Sequence, residues 1–318
     1  MKNFSYKNIA KEAGVSISTV SRYYRGGYVS KETKKVIANI IKENDYYPNH
    51  GARTIRGRDT SIFIIVPEWY ENSYTQIMNG IEQGAKTRNR KVVITHSSPN
   101  PEEYIETIKY VSSWKPMAIV FFLPEDPQNT ITNYIKNTNF ESNILVYGKE
   151  VETLNWIKID EENSFHHLTS RFINYIDKGE KVVFVEDVKL TEEQKRLRCI
   201  GFENACKKLN VEYEIYSLKN KNNKEVQFFL NYLRNNNLVN VVCSTHEVFI
   251  NLISSGDRNL RLTDIGWVSI YDYQHKYKAK IFIDYPAVGL EIEKMLYSCD
   301  VDNTIENKIY KPKILFDN

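Results

Sequence analysis

Asn8-Ile9-Ala10-Lys11-Glu12-Ala13-Gly14-Val15-Ser16-Ile17-Ser18-Thr19-Val20-Ser21-Arg22 sets two short helical patterns on either side of a glycine, near the start of a chain of 318 residues. Residues 6–13 put Ile9 and Ala10 on one face, and Gly14 then interrupts. Ser16 suits the N-cap of a second helix from Ile17 to Tyr24, because its hydroxyl can accept a backbone N–H that the first turn leaves unpaired. Ala10, Gly14 and Val20 stand where a helix-turn-helix needs three things: a small residue at the crossing, one tolerating positive φ in the turn, and an apolar anchor under the second helix. Further out, Ser30 caps a third helix, in which Val36 with Ile40 and Ile37 with Ile41 recur at i,i+4 as an apolar stripe. Tyr46-Tyr47-Pro48-Asn49 ends that helix, since proline cannot continue it. A basic segment, residues 50–58, then leads to the first apolar strand.

Charge divides the chain at the same place. Residues 1–60 hold twelve Lys or Arg against five Asp or Glu, and the remainder thirty-one against thirty-five. The net +3 is therefore a head of +7 on a body of −4. A small basic segment on a mildly acidic body is the electrostatic pattern of a nucleic-acid-binding module.

Several classes are excluded or disfavoured. With 42% apolar and 26% charged residues the composition is that of a soluble globular protein. No apolar run reaches the roughly eighteen residues of a membrane span, and the amino terminus lacks the apolar core of a secretory signal. The four cysteines (Cys199, Cys206, Cys243, Cys299) form no CxxC pair, which fits a reducing cytoplasm and argues against a zinc site or disulfide framework. None of the six histidines has ligand spacing, so no metal and no cofactor is expected. No GxSxG elbow, GxxxxGK[ST] loop or GxGxxG is present, and the chain is not expected to be an enzyme. His166-His167 adjoin Glu161 and Glu162 but point in different directions on a helix. Asp160 and Asp284 are strand-end carboxylates whose separation nothing in the sequence fixes.

From Ser61 the texture changes to short apolar strands alternating with amphipathic helices. Residues 62–66, 92–95, 117–122 and 144–147 read as buried strands, with helices at 74–88, 101–114 and 127–138 between them. A second series follows, with strands at 182–185, 212–216, 239–244 and 265–269 and helices near 191–208, 223–235 and 246–255. Such βαβ runs imply parallel sheets covered on both faces. Two in tandem imply two lobes with a ligand cleft at the carboxyl ends of their strands.

The run 8–22, with Val29-Ser30-Lys31-Glu32-Thr33, Asn44 to Asn49 and Ala52-Arg53, resembles the signature of the LacI/GalR family of bacterial repressors. About sixty residues match in order and spacing. The resemblance implies a second helix lying in the major groove, with Ile17, Ser18 and Arg22 at base edges and Tyr6, Ser16, Thr19 and Ser21 as base or phosphate neighbours. Arg22 suits guanine, whose N7 and O6 accept both prongs of a guanidinium. It also implies that residues 48–60 form a hinge helix on the operator, with Asn49, His50, Arg53 and Arg56 toward DNA and Ile55 as minor-groove wedge. Gly51 departs from the bulkier apolar residue usual in the family and costs about 1 kcal/mol of helix propensity.

The resemblance continues more weakly through the body. Ile77, Gly80, Ile81 and Glu82 resemble the first-lobe helix, Arg198 with Gly201-Phe202 the R-x-x-G-F element, and Ser269-Ile270-Tyr271-Asp272 the G-Y-D element. This implies a body like the periplasmic sugar-binding receptors. Arg198 and Asp272 are then the first effector contacts, a donor and an acceptor for sugar hydroxyls. Lys149, at the place of a family Gly-Arg, and His246 are further candidates, and Tyr70, Tyr74, Trp69 and Trp267 are stacking candidates. Thr245-His246 stands for a family Asn-Asp and Tyr285-Pro286 for a Gln-Pro, so the ligand of other members does not carry over.

The expected architecture is a small all-α helix-turn-helix head (1–47), a hinge (48–60) and an α/β body of two doubly wound parallel-sheet lobes (61–318). The first lobe is expected at about 61–158 and 286–300, the second at about 159–285 and 301–318. The expected function is a cytoplasmic, nucleoid-associated homodimeric repressor on pseudo-palindromic operator DNA, released by a sugar or sugar phosphate and making no membrane contact. A corepressor-dependent regulator and a protein-partner-controlled one are the alternatives within the class. A sugar-binding protein or enzyme with an incidental basic head is the alternative outside it.

Overall fold

The structure, a computed structural model, describes residues 5–24, 27–44, 60–68, 72–218, 223–274, 276–302 and 304–316. Its contacts group the chain into two units, residues 1–59 and 60–318. The hinge expectations at Asn49, His50, Gly51, Arg53, Ile55 and Arg56, and the stacking expectations at Trp69 and Tyr70, lie outside the described residues.

Among its described residues the head has three helices: α1 (Tyr6–Glu12), α2 (Ile17–Tyr24) and α3 (Lys31–Glu43). The turn between α1 and α2 rests on Gly14, whose φ of +64° a Cβ would strain. The Val15 N–H donates to the Ala10 carbonyl at 2.9 Å, closing that turn. Ser16 Oγ accepts from the Thr19 N–H and Ser30 Oγ from the Thr33 N–H, both at 3.2 Å, so α2 and α3 start at side-chain caps. Ile9, Ala10, Val20, Ile37 and Ile40 form the core. The expected stripe is corrected at Val36, which is 44% exposed: two short helices cover only a narrow seam of α3, the one through Ile37 and Ile40.

The body's first sheet has the order β11-β5-β4-β3-β1-β2, with β1 (Ile62–Pro67), β2 (Val92–Ser97), β3 (Ala118–Phe122), β4 (Asn143–Tyr147), β5 (Asn155–Ile159) and β11 (Asn307–Tyr310), all paired in parallel. Helices α4 (Asn72–Thr87), α5 (Pro101–Ser113) and α6 (Thr130–Asn137) cross over between its strands. The second sheet has the order β12-β10-β9-β8-β6-β7, with β6 (Val182–Asp187), β7 (Tyr213–Leu218), β8 (Asn240–Cys243), β9 (Arg261–Gly266), β10 (Ala279–Phe282) and β12 (Lys313–Phe316). Here only β12 runs antiparallel, against β10. Its helices are α7 (Glu161–Ile173), α8 (Glu192–Leu209), α9 (Asn223–Asn235) and α10 (His246–Ile253). The last helix, α11 (Tyr285–Asp302), returns to the first lobe, where Val288, Ile292, Met295 and Leu296 join the core of β1, β3 and α4.

Each sheet is buried on both faces, as continuous runs such as Ile62–Pro67 require. Two expectations are corrected. The strand expected at 265–269 is β9, four residues earlier: Thr263 and Asp264 interrupt its apolar pattern yet lie fully buried. Residues 301–318 do not all belong to the second lobe. β11 continues the first sheet past β5, pairing Asn307 with Trp156, because β5 would otherwise be an open edge. The chain therefore changes lobe three times: at Asp160, at Ile283-Asp284, and at Lys311-Pro312. At this hinge the rings of Tyr285 and Tyr310 pack against both lobes' cores.

Candidate functional site

In the head, α2 turns Val20 inward at 0% exposure and leaves Ser16, Ile17, Ser18 and Arg22 exposed on the other side. The Ser16 hydroxyl lies 2.7 Å from that of Ser18 and 2.9 Å from that of Thr19, so three of the expected contact hydroxyls form one cluster at the helix start. Ser21 is half-buried. The Tyr6 ring stacks on Tyr24 with centroids 5.0 Å apart and planes within 4°. The Arg22 guanidinium has no hydrogen bond or ion pair among the described residues. Sequence reading passed over Tyr28, which stands 92% exposed just after α2; no periodicity marks a loop aromatic as outward.

In the body, the carboxyl ends of the two sheets face each other. Glu125, after β3, accepts from the Glu192 N–H at the start of α8 at 3.1 Å, across the two lobes. The two strand-end aspartates prove to be helix caps rather than an acid pair. Asp160 accepts from the Asn163 N–H at the start of α7, and Asp284 from the Ala287 N–H at the start of α11 (2.9 Å). Each thus starts the helix that follows a change of lobe.

Arg198, on α8 and 6% exposed, is held by an acid that sequence reading did not pair with it. Its Nε and Nη2 donate to the two oxygens of Glu161, the latter at 3.0 Å, and its Nη1 donates to the Ser244 carbonyl at 2.6 Å. Glu161 sits in the first turn of α7, thirty-seven residues away in sequence. Beside it, Asp187 closes a second polar knot by accepting from Thr245 Oγ1 at 2.9 Å.

His246 and Asp272 belong to one chain of contacts. His246 Nδ1 lies 2.7 Å from Asp264 Oδ1, and Asp264 Oδ2 lies 3.1 Å from Lys280 Nζ, an ion-pair distance off the line of a hydrogen bond. Lys280 donates to both oxygens of Asp272, at 3.0 and 2.9 Å, and to the Trp267 carbonyl at 2.9 Å. Asp272 further accepts from Tyr277 Oη (3.0 Å) and from the Ser269 N–H (2.6 Å) and hydroxyl (2.9 Å). Burial by itself would push the Asp272 carboxyl up, but the bonds from Lys280 and Ser269 hold it below its ordinary value.

The remaining cleft candidates divide by lobe. Lys149 Nζ donates to Asn129 Oδ1 (2.6 Å) and Thr132 Oγ1 (3.2 Å), so it is drawn onto its own lobe. Tyr74 packs with Phe122 (4.8 Å) and Tyr147 (5.8 Å) at the end of the first sheet, and Trp267 stacks on Phe282 (5.3 Å) at the end of the second.

Residues 5–49 match the family model of bacterial regulatory proteins, lacI family. Its head is thus a LacI-family DNA-binding domain. Over 294 residues it is 26% identical to the HTH-type transcriptional regulator RegA of Clostridium saccharobutylicum, covering 89% of this chain and 86% of that one. It is 34% identical to the sucrose operon repressor of Staphylococcus xylosus over 126 residues, 39% of each chain. The Lac repressor bound to ONPG in its repressed state matches with a TM-score of 0.79 at 16% identity, over 99% of this chain and 98% of that one. At that identity the likeness shows a shared fold. A LacI-family head on this two-lobed body makes the chain a DNA-binding transcription regulator.

Among the described residues no group of three His, Cys, Asp or Glu is placed to hold a metal ion. Among them, too, no helix is long and apolar enough to cross a membrane.

Proposed function

We propose that this regulator is a homodimeric operon repressor that a sugar or sugar phosphate releases from its operator, working in the cytoplasm on the nucleoid and catalysing no reaction. The observation that carries the reading is α2, capped at Ser16, anchored by Val20 and presenting Ile17, Ser18 and Arg22 outward. A helix held from behind in this way can enter a major groove without repacking its own domain. Tyr6, Thr19 and Ser21 then stand beside phosphates or base edges, and Asn49, His50, Arg53, Ile55 and Arg56 follow as the hinge. Two heads on a two-fold axis read a pseudo-palindrome.

The effector half of the reading draws support from relatives. One is a sucrose operon repressor, and the Lac repressor is seen with ONPG. In this chain the residues we assign to the effector are Arg198, His246, Lys149 and Tyr74, with Tyr70, outside the described residues, kept as a stacking candidate. Arg198 brings the one guanidinium of the set, held by Glu161 and the Ser244 carbonyl. By linkage, a releasing effector binds the free repressor more tightly than the operator-bound one by the factor it costs DNA affinity.

The test joins both halves. Duplexes bound by the full chain are selected from a random pool, and the protein is screened by thermal shift against mono- and disaccharides, their phosphates and purines. We expect a pseudo-palindromic operator and a sugar or sugar-phosphate hit that releases it. A hit that tightens operator binding would make the chain a corepressed regulator, and selection of no sequence would overturn the reading of α2.

A further inference from the structure

Lys280 carries a side chain at 0% exposure in β10, and no sequence pattern marked it. Burying an ammonium is strongly unfavourable unless partners compensate it. Here three acceptors converge: the carboxylates of Asp264 and Asp272 and the Trp267 carbonyl. The consequences for the two anions differ. A carboxylate has about four lone-pair sites. Asp272 already takes two bonds on Oδ1 and three on Oδ2, which leaves none for a ligand hydroxyl. Asp264, itself fully buried, faces Lys280 with Oδ2 and offers Oδ1 to the Ile265 N–H (2.8 Å) and to His246 Nδ1. A carboxylate oxygen that already takes the Ile265 N–H accepts from His246 as well, so Nδ1 of the ring is the donor to Asp264 and Nε2 is the atom turned away from it. A third of the His246 side chain remains exposed.

We propose that Lys280 is a positioning residue of the effector cleft: it withdraws Asp272 from the ligand and, through Asp264, holds His246 with Nδ1 donating to Asp264 and Nε2 left for the ligand. This rests on the reading of the cleft as an effector site. It also points this wall at a hydroxyl compound such as a polyol ring rather than an amine, because the Asp272 carboxylate that would attract an amine is already spent. The two carboxylates share the buried cation and divide the remaining donors: Asp264 accepts from His246 and the Ile265 N–H, and Asp272 from Ser269 and Tyr277.

The test reads the histidine itself in the full-length protein and needs no effector. Nitrogen-15 labelling of the histidines and a long-range proton–nitrogen spectrum distinguish Nδ1–H from Nε2–H, and His246→Gln assigns the signal. We expect Nδ1 to carry a proton, hydrogen-bonded to Asp264, in the unaltered chain. An Nε2–H ring or an even mixture of the two would overturn the proposal. Lys280→Met is expected to move the His246 signals away from that pattern. Where that variant does not fold, Lys280→Met/Asp272→Asn removes one cation and one anion together and keeps the buried charges balanced. A folded variant of either kind with parent-like His246 signals would show that Lys280 does not set the ring. A sugar screen without a hit would count against the cleft reading alone, whereas the wrong tautomer sinks the Lys280 proposal even with a hit in hand.

Discussion

Gly80 and Gly289 meet backbone to backbone where α4 crosses α11 in the first lobe. A Cβ on Gly80 would lie 2.1 Å from the Pro286 carbonyl oxygen, and one on Gly289 would lie 2.0 Å from that of Ile77. No rotamer relieves such a contact, since both obstacles are main chain. Gly289→Ala is therefore expected to lower stability by about 1–3 kcal/mol through forced separation of the helices. Urea unfolding of the parent and the variant checks this, and an unchanged midpoint would mean that the helices can part freely.

Arg198 has a structural duty beside any ligand. Its guanidinium and the Glu161 carboxylate are 8% and 11% exposed, and each is the other's charge partner. Arg198→Ala leaves the acid buried and unpaired, for an expected loss of about 3–5 kcal/mol. Replacing both, as Arg198→Met/Glu161→Met, should cost clearly less than the single change. If the double variant is no more stable than the single one, the pair's burial has been overestimated. Effector response is then best read in the double variant.

What the sequence made legible follows from the range of the interactions. The head's turn was readable because Ala10, Gly14 and Val20 serve one local geometry within eleven residues. The buried strands were readable because both faces of Ile62–Pro67 and Ala118–Phe122 are apolar. Short strands such as Asn307–Tyr310 and Lys313–Phe316 were not, since their pairing partners lie far off in sequence and half their residues face water. The polar cleft wall was legible only in part. Arg198, His246 and Asp272 were picked by resemblance, but Glu161 and Lys280, which decide what those residues can do, are joined to them by tertiary contact alone. A lone lysine in an apolar strand reads as surface until the fold buries it.

Asp272 also gives the protein an acid limb. Its carboxyl sits below the ordinary 3.8 in the folded chain, so just below that value the unfolded chain binds more protons than the folded one. Stability therefore rises with pH through this window, is fully present above 3.8, and is lost as pH falls through the folded value. Glu293, pushed above its ordinary 4.5 by burial against the opposing pull of Arg88 and Arg90, has the contrary sign. Its effect lies above 4.5, so the two windows do not overlap. Asp272→Asn is expected to narrow the stability gap to the parent as pH drops from about 5 toward about 2.5. A gap that stays constant over that range, followed by urea unfolding, would assign the acid limb to another carboxylate.

Arg22 separates recognition from folding. It is exposed, and its guanidinium bonds to nothing among the described residues, so Arg22→Ala should leave the head's melting behaviour unchanged. At a selected operator the same change is expected to cost about 1–3 kcal/mol and to relax specificity at a single base pair, the behaviour of a two-pronged contact to guanine. A contact to phosphate would act differently, weakening all duplexes alike and reducing the salt slope by about one. Binding of the variant to the selected operator and to single-base variants of it, at several salt concentrations, distinguishes the two. Val20→Ala supplies the contrast. Its side chain is fully buried in the head's core, so loss of binding there should come with loss of helix content. If Arg22→Ala binds the operator as tightly as the parent, the α2 face meets DNA through Ile17 and Ser18 without its arginine, and the guanine assignment falls.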